Sequence, residues 1–276
     1  MTDYEIRVIE YGYVDRYPAS NLFAAQPGEG YRRMPYCFAV LRSADRCILV
    51  DAGFADDATY RRLTDKYGET RWAAPAEALR RAGADPDEVD TVILTHNHFD
   101  HAGCAGQFRN AHLYIQRREI TEYQAAQAMP RRFEFLTRSC EPALPELLDK
   151  RARDGLATLA DGELEVAPGV SLWPAFGTHT AGSQVVSVTT GQNGRWLFAG
   201  DNVYAYENLE GLGGDGVLAP IAMSTGSATE WLRLADAMLS AVGGETRRII
   251  PFHEARLWEK FASREFGDGL HVAEIG

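Results

Sequence analysis

The chain is poor in cysteine, contains no long apolar run and begins without a basic stretch followed by an apolar one. Four cysteines in 276 residues form neither a Cys-x-x-Cys pair nor a disulfide framework. No apolar run reaches the length of about 20 residues that a membrane-spanning helix requires. We therefore expect no membrane segment and no signal peptide, and the cysteine usage favours the reducing cytoplasm.

Basic residues are also scarce, which narrows the range of partners. Lysine and arginine total 28 against 39 acidic residues, so the net charge is -11. This charge opposes attraction to nucleic acid or to an anionic membrane, and we expect neither as a partner. The densest basic cluster alternates with acids and predicts a solvated helix face, formed by Arg117, Arg118, Glu119, Glu122, Arg131, Arg132, Glu134, Arg138 and Glu141.

Residues 95–101, with the sequence Thr-His-Asn-His-Phe-Asp-His, contain four side chains of the types that bind metals. The β-branched and apolar stretch over residues 90–94 before them predicts a buried strand, so the ligands start from a rigid element. His96 and His98 are two positions apart and point to the same side of an extended chain. Asp100 and His101 follow a turn, which places them toward a second ion. The spacing predicts a bimetallic centre.

Further candidate ligands lie far along the chain, each at the end of an apolar strand-like run. They are His179, Asp201 and His253, and Asp51 ends an earlier run of the same kind. His112, His271 and Cys104 are expected to have structural roles. Histidine and carboxylate ligands accept zinc, manganese, iron or cobalt, so the residue types alone do not select the metal.

The motif from His96 to His101 resembles the HxHxDH motif of the metallo-β-lactamase superfamily, and the later His, Asp and His follow that family's order. The resemblance extends from Asp51 to His253. It implies a four-layer αββα sandwich that holds two divalent cations, with Zn²⁺ expected. One ion would be bound by His96, His98 and His179, the other by Asp100, His101 and His253. Asp201 would bridge them, and Asp51 would orient a ligand.

Two details resemble the N-acyl-homoserine lactonase group of this superfamily. Residues 98–103 read His-Phe-Asp-His-Ala-Gly, and Tyr204 follows Asp201 with the spacing Asp-x-x-Tyr. The resemblance implies opening of a lactone ring, with Asp100, Asp201 and Tyr204 as catalytic residues and Phe99 in the substrate pocket. The chain departs from the group at residues 179–183, His-Thr-Ala-Gly-Ser, where the group has His-Thr-Pro-Gly-His, and at Glu254, where aspartate is common.

The sequence is also compatible with other functions. One is a catabolic lactonase for a compact polar or aromatic lactone of the pyridoxolactone type, with Arg131 or Arg138 meeting a substrate carboxylate. Others are a thioesterase of the glyoxalase II kind, a β-lactamase, an iron-based redox enzyme and a ligand-binding protein with a vestigial site. Turnover of acyl-glutathione would indicate the thioesterase, turnover of penicillin the β-lactamase, and dependence on oxygen the redox enzyme. A metal content below one ion per chain would indicate the vestigial site.

The organisation predicted for the chain is one folded unit over residues 1–276, because the candidate ligands are spread along its length. Residues 4–11, 36–42 and 46–51 predict strands, the last two joined as a hairpin, and residues 75–82 predict a helix. Residues 117–153 predict a helical insert, through which the resemblance implies a possible homodimer. Residues 156–198 predict antiparallel strands, and a capping box at Ser227 and Glu230 predicts a helix over 227–242.

Overall fold

The computed structural model of the protein describes residues 2–24, 30–191, 194–222 and 224–275. The strands are β1 Glu5–Pro18, β2 Tyr31–Arg42, β3 Cys47–Val50, β4 Arg71–Trp72, β5 Thr91–Ile93, β6 His112–Gln116, β7 Ala157–Ala160, β8 Leu164–Ala167, β9 Val170–Pro174, β10 Gln184–Thr190, β11 Gly194–Gly200, β12 Ile249–Pro251, β13 Ala262–Glu265 and β14 His271–Ile275. The helices are α1 Ala58–Thr64, α2 Pro75–Arg81, α3 Phe99–Ala102, α4 Arg117–Gln127, α5 Leu144–Arg153, α6 Glu207–Glu210, α7 Ala228–Ala241 and α8 Leu257–Lys260.

The first sheet has the strand order β13-β14-β1-β2-β3-β5-β6-β7, and β4 pairs with β1. Strands β2 and β3 form the predicted antiparallel hairpin, whereas β3, β5, β6 and β7 run parallel. Strand β1 continues to Pro18, well beyond the predicted end at residue 11. Because β3 and β5 are parallel neighbours, the loops after them meet at one edge of the sheet.

The second sheet has the order β12-β11-β10-β9-β8, antiparallel except for the parallel pair β11 and β12. The prediction of one antiparallel set over residues 156–198 is wrong for β7, which pairs in parallel with β6 in the first sheet. The helical insert between these two strands is a crossover connection, which returns the chain in its original direction.

Apolar side chains of the two sheets face one another, and helices cover the outer faces. The cluster between the sheets includes Val8, Ile48, Ile93, Val186, Phe198 and Phe252. A second cluster packs helices onto the sheets and includes Leu79 of α2, Leu148 of α5 and Trp231 of α7. This is the predicted αββα sandwich. In the described ranges, no helix is long and apolar enough to cross a membrane.

Helix α7 begins as predicted, but its capping box is half formed. The Ser227 hydroxyl accepts hydrogen bonds from the backbone N–H groups of Thr229 and Glu230, at 3.2 and 3.5 Å. The Glu230 carboxylate does not return to Ser227, because it pairs with Arg233 at 2.7 Å. The Ser227 N–H donates instead to the Gly177 carbonyl at 2.8 Å, which ties the start of α7 to the loop before His179.

The insert over residues 117–153 is helical as predicted, with a 3₁₀ segment at Arg131–Leu136 between α4 and α5. Arg131 is 95% exposed and forms part of the expected solvated surface. The prediction is wrong for Glu119 and Glu141, which are buried. The Glu119 carboxylate accepts the backbone N–H of Asn97 from another loop. The Glu141 carboxylate accepts the N–H of Ala143 two residues on and the hydroxyl of Tyr60. Periodicity along one helix does not reveal such long-range partners.

Candidate metal centre

The loops that follow four strands converge at one edge of the sandwich. Strand β3 leads to Asp51 and β5 to the loop that begins at Thr95. From the second sheet, the parallel strands β11 and β12 lead to Asp201 and His253. His179 reaches the same edge from the loop between β9 and β10. Rigid strands therefore deliver ligands from both sheets to one point.

Gly200 allows the two sheets to approach closely at this edge. Its φ of 53° lies in the left-handed region, and an added Cβ atom would lie 2.6 Å from the Thr95 hydroxyl oxygen. A side chain at this position would push the second sheet away from the loop after β5. The glycine before Asp201 is thus required by geometry.

The structure brings together all seven side chains predicted as ligands, in two groups. The histidine group consists of His96, His98 and His179, and the mixed group consists of Asp100, His101 and His253. Within each group, one ligand atom per residue lies within 4.8 Å of the others, and Asp201 satisfies this criterion with the histidine group. These side chains are buried, except for the partly exposed His98.

Asp201 lies between the two groups and presents one oxygen to each. Its Oδ2 atom is 3.2 Å from His179 Nε2 and 3.7 Å from His96 Nε2. Its Oδ1 atom is 2.9 Å from His101 Nε2 and 3.0 Å from His253 Nε2. One carboxylate divided between two clusters of ligand atoms has the geometry of a bridge between two cations.

Several polar atoms at this point are buried without a partner, which tests whether the residues fit two metal ions. His96 Nε2, His101 Nε2 and Asp201 Oδ1 have no hydrogen-bond partner among the described residues. Buried polar atoms are almost always satisfied in proteins, so three such atoms facing one another mark a point at which a bound cation would satisfy them. The donor set of imidazole nitrogens and carboxylate oxygens is that of zinc and related divalent ions. The residues fit a dinuclear site.

The ring nitrogens that point away from the site are hydrogen-bonded, and this leaves the opposite nitrogens free for a metal. His101 Nδ1–H donates to Asp51 Oδ2 at 2.7 Å, and His253 Nδ1–H donates to the Pro35 carbonyl at 2.7 Å. Asp51 also accepts from the backbone N–H and the hydroxyl of Thr95, at 2.7 and 2.8 Å. Such partners select the tautomer and the orientation of a metal-binding histidine.

Burial determines the charge of the histidine group. It lowers the pKa of His98 to about 4 and that of His179 to about 3, and it holds the pKa of His96 well below its usual range. These rings are therefore neutral at pH 7, the state that binds metal. In the mixed group burial also lowers the pKa of His101, but the surrounding carboxylates, led by Asp201, outweigh it and raise that pKa.

Known proteins share both the sequence pattern and the fold. A sequence model of the metallo-beta-lactamase superfamily matches residues 31–253. The chain belongs to this superfamily. As a member, it is a metal-dependent hydrolase, as the sequence predicts.

Two relatives and one solved structure illustrate the similarity. A Bacillus thuringiensis protein named N-acyl homoserine lactonase is 32% identical over 196 residues, which cover 68% of this chain and 71% of the relative. The N-acyl homoserine lactonase AiiB of Agrobacterium fabrum is 32% identical over 136 residues, 48% of this chain and 47% of the relative. A crystal structure of a quorum-quenching N-acyl homoserine lactone lactonase has a TM-score of 0.70 at 24% identity, covering 100% of this chain and 99% of that one.

In this member of the superfamily, a pocket opens onto the metal ligands, and it contains both Tyr204 and Phe99. The pocket is lined by Tyr17, Met34, Tyr36, Leu63, Lys66, Tyr67, His98, Phe99, Asp100, Ser139, Asp201, Tyr204 and His253. The Tyr204 hydroxyl is 3.4 Å from His179 Nδ1. Phe99 stacks on Tyr60, with ring centroids 5.2 Å apart and planes 15° apart.

Among the described residues that line this pocket, Lys66 is the lysine or arginine, and the sequence did not indicate it. Arg131 and Arg138, which the alternative of a compact polar lactone placed against a substrate carboxylate, are not among the residues that line this pocket. They project from the 3₁₀ segment and the turn after it, where Arg131 lies within reach of Glu134 and Arg138 stacks on Phe135. A single lysine after a short helix carries no motif, so no sequence signal identified it.

The remaining histidines and the cysteines lie where structural roles were expected. His112 Nε2 is 2.7 Å from the Thr158 hydroxyl, and His271 Nδ1 is 2.8 Å from Glu10. Cys104 is buried beside the site, and all four cysteines are free.

Proposed function

We propose that this hydrolase opens lactone rings and that its substrates are N-acyl-homoserine lactones. One observation carries the proposal: the Tyr204 hydroxyl lies in the same pocket as the two ligand groups, beside His179. A buried tyrosine next to a dinuclear site supplies a hydrogen-bond donor for a carbonyl or a leaving oxygen. The names of the curated relatives support the same substrate class.

The two ligand groups would each hold one divalent cation, with Asp201 shared between them. We propose zinc, because imidazole and carboxylate ligands of this kind suit it. When bound, two such ions supply a water molecule acidified for attack at neutral pH and an electrophile for the substrate carbonyl. Among the outer partners, Asp51 holds His101 and the Pro35 carbonyl holds His253.

Tyr204 and Asp100 would carry the proton transfers and the charge stabilisation that the chain itself contributes. Burial raises the pKa of Tyr204 well above its usual value, so the hydroxyl stays protonated and donates a hydrogen bond to a substrate oxygen. Asp100 lines the pocket and would accept the proton of the attacking water. Water adds to the carbonyl carbon, the ring C–O bond breaks, and the proton passes to the leaving oxygen to give a hydroxy acid.

Phe99 would form the apolar wall of the substrate pocket. The Tyr60 ring supports it from behind, and the Tyr60 hydroxyl contacts the buried Glu141 carboxylate. Phe54 packs against Phe99 with ring centroids 5.2 Å apart. A ring held on two sides excludes water from the reacting carbonyl, which strengthens the electrostatic interactions in the pocket.

A substrate panel tests the proposal directly. Purified protein loaded with zinc is assayed on N-acyl-homoserine lactones of short and long acyl chain, on aromatic lactones, on acyl-glutathione and on a penicillin, with the metal content measured in each preparation. We expect ring opening of acyl-homoserine lactones and little turnover of thioester or β-lactam. Protein with two ions per chain that opens no lactone would contradict the proposal.

Lys66 favours a second candidate, a lactone that carries an anionic substituent. Lys66 lines the pocket with the metal ligands, and its Nζ lies 4.7 Å from the centre of the Tyr67 ring. Within the described ranges it forms no salt bridge with the protein. Tyr17 and Tyr36 add further polar edges to the walls. A cation in such surroundings suits the carboxylate or phenolate of a compact lactone of the pyridoxolactone type.

The ratio of KM values for an anionic and a neutral lactone distinguishes the two substrate classes. If the anionic lactone is the substrate, Lys66→Met raises its KM about tenfold, the effect of losing one charge-assisted hydrogen bond, and leaves the neutral lactone unchanged. Arg131→Ala is the matched control, since Arg131 lies outside the pocket. Equal KM values for both lactones in the wild type and in Lys66→Met would exclude this candidate.

The assembly and location of the chain stay predictions. The insert exposes apolar side chains on its 3₁₀ segment and just before it, namely Met129, Phe133, Phe135 and Leu136. Light scattering tests the predicted homodimer through this insert, and a monomer at all concentrations would contradict it. Limited proteolysis tests the predicted single folded unit, and cell fractionation tests the cytoplasmic location.

A further inference from the structure

Glu119 connects two loops that carry metal ligands, although it is not a ligand itself. It lies in the first turn of α4 and is 4% exposed. Its Oε1 atom accepts a hydrogen bond from the backbone N–H of Asn97 at 2.9 Å. Its Oε2 atom accepts from the Thr180 hydroxyl at 2.7 Å and from the Gly182 N–H at 2.8 Å.

Two of the residues that donate hydrogen bonds to Glu119 are sequence neighbours of the three histidines in the histidine group. Asn97 lies between His96 and His98, and Thr180 directly follows His179. One carboxylate therefore binds the first ligand loop through one oxygen and the second ligand loop through the other. These loops come from different sheets, and no strand pairing joins them in the described part of the chain. Near them, the Gln184 N–H donates to the Thr95 carbonyl at 2.9 Å, so Glu119 adds contacts at the ligands themselves.

Gly182 shows how closely the second loop lies against Glu119. An added Cβ atom at Gly182 would lie 2.1 Å from the Glu119 nitrogen and 2.5 Å from its Cα atom. The absence of a side chain lets the loop after His179 rest on the first turn of α4, where its N–H reaches the carboxylate. The glycine and the acid form one contact, which explains why this loop keeps a glycine while it departs from the group's pattern on both sides.

We propose that Glu119 is a positioning residue that holds the loops of His96, His98 and His179 at the separation required by the ion of the histidine group. A carboxylate is needed because only an acceptor at both oxygens satisfies donors from both loops. A glutamine at this position turns an NH₂ group toward one of the loops and leaves a buried N–H without an acceptor. This inference concerns metal binding and does not depend on the identity of the substrate.

The two ion sites should respond differently to the loss of Glu119. The mixed group has its own outer partners, Asp51 and the Pro35 carbonyl, and Glu119 contacts neither. Glu119→Gln is expected to weaken binding of one ion about 10- to 100-fold, the usual effect of removing an outer partner, and to leave the other ion nearly unaffected. Equal weakening of both ions would contradict the proposal, because it would indicate a general loss of structure.

A metal titration measures this difference without using enzyme activity. Metal-free protein is titrated with Co²⁺ in competition with a chelator, the visible absorption of each bound ion is recorded, and circular dichroism monitors the fold. Glu122→Gln is the matched control, because Glu122 lies one helical turn farther along α4 and is exposed. We expect two tightly bound ions in the wild type and in the control, and one in Glu119→Gln.

A milder variant keeps the test decisive if Glu119→Gln does not fold. Thr180→Val removes one of the three donors and leaves both backbone N–H groups on the carboxylate. It is expected to weaken the same ion about fivefold, the contribution of one hydrogen bond. Wild-type affinity for both ions in Glu119→Gln, or in Thr180→Val if the first variant does not fold, would overturn the proposal.

Discussion

Asp51→Asn tests whether the Asp51 carboxylate orients the ligand His101, because this substitution leaves the backbone conformation unchanged. Asp51 has a φ of 65°, and asparagine tolerates this left-handed conformation, so the backbone is preserved. The wild-type carboxylate accepts hydrogen bonds from the Thr95 N–H, the Thr95 hydroxyl and His101 Nδ1–H. The amide has one acceptor oxygen, so either Thr95 or His101 then faces an NH₂ group.

The expected loss follows from the His101 tautomer. Without a carboxylate at 2.7 Å, the Nδ1–H form of the ring loses its stabilisation, and the competing tautomer places a proton on Nε2, the atom that faces Asp201. Outer partners of this kind contribute about 10- to 100-fold to metal affinity, which corresponds to about 1.4 to 2.7 kcal/mol. The loss should be concentrated on the ion of the mixed group, because the histidine group contacts Asp51 only through the Thr95 hydroxyl.

The assay is a competition titration with zinc and a chromophoric chelator, which reports the affinities of both ions. Asp56→Asn is the control, since Asp56 is an exposed acid in the same loop. We expect one ion to weaken in Asp51→Asn and both to stay tight in the control. Two ions bound with wild-type affinity in Asp51→Asn would show that Asp51 does not orient His101 for metal binding, and so would equal weakening of both ions.

Three further predictions test the chemistry and the packing around the site. Tyr204→Phe should lower kcat for lactones about 100-fold with unchanged metal content, whereas Tyr206→Phe, in the core between the sheets, should not; equal kcat values would contradict the role of Tyr204. Gly200→Ala should lower the free energy of unfolding by about 1 to 3 kcal/mol in urea titrations, because the methyl group meets Thr95. Burial raises the pKa of Asp90, but hydrogen bonds outweigh it and lower that pKa, so Asp90 stabilises the fold above its unfolded pKa of about 3.9. Asp90→Asn should cost about 1 kcal/mol at pH 7, and the difference in Tm from the wild type should shrink as the pH falls below about 4; a constant difference would contradict this.

The ligand set was predictable because metal binding imposes local spacing and strand ends impose position. His96 and His98 alternate on an extended segment, and the apolar runs before Asp201 and His253 indicate the strands that deliver them. The hairpin of β2 and β3 and the start of α7 at Ser227 were predictable for the same reason, since their signals lie within a few residues.

Features that depend on partners distant in sequence were not predictable. Strand β7 joins the first sheet because of the crossover that precedes it, and its own four residues do not indicate this. Glu119 was interpreted as part of a solvated face, yet its partners are 22 to 63 residues away. Lys66 lines the pocket because of where the folded chain places the end of α1, and no motif around it indicates this position.

We propose above that a dinuclear site in this chain opens lactone rings. The most direct measurement combines elemental analysis with proton release from an N-acyl-homoserine lactone, on one preparation before and after removal of its metal by chelation. We expect two divalent ions per chain, ring opening that ceases when they are removed, and recovery when zinc is restored. Ring opening that persists in the metal-free protein, or no ring opening with two ions bound, would exclude a metal-dependent lactonase.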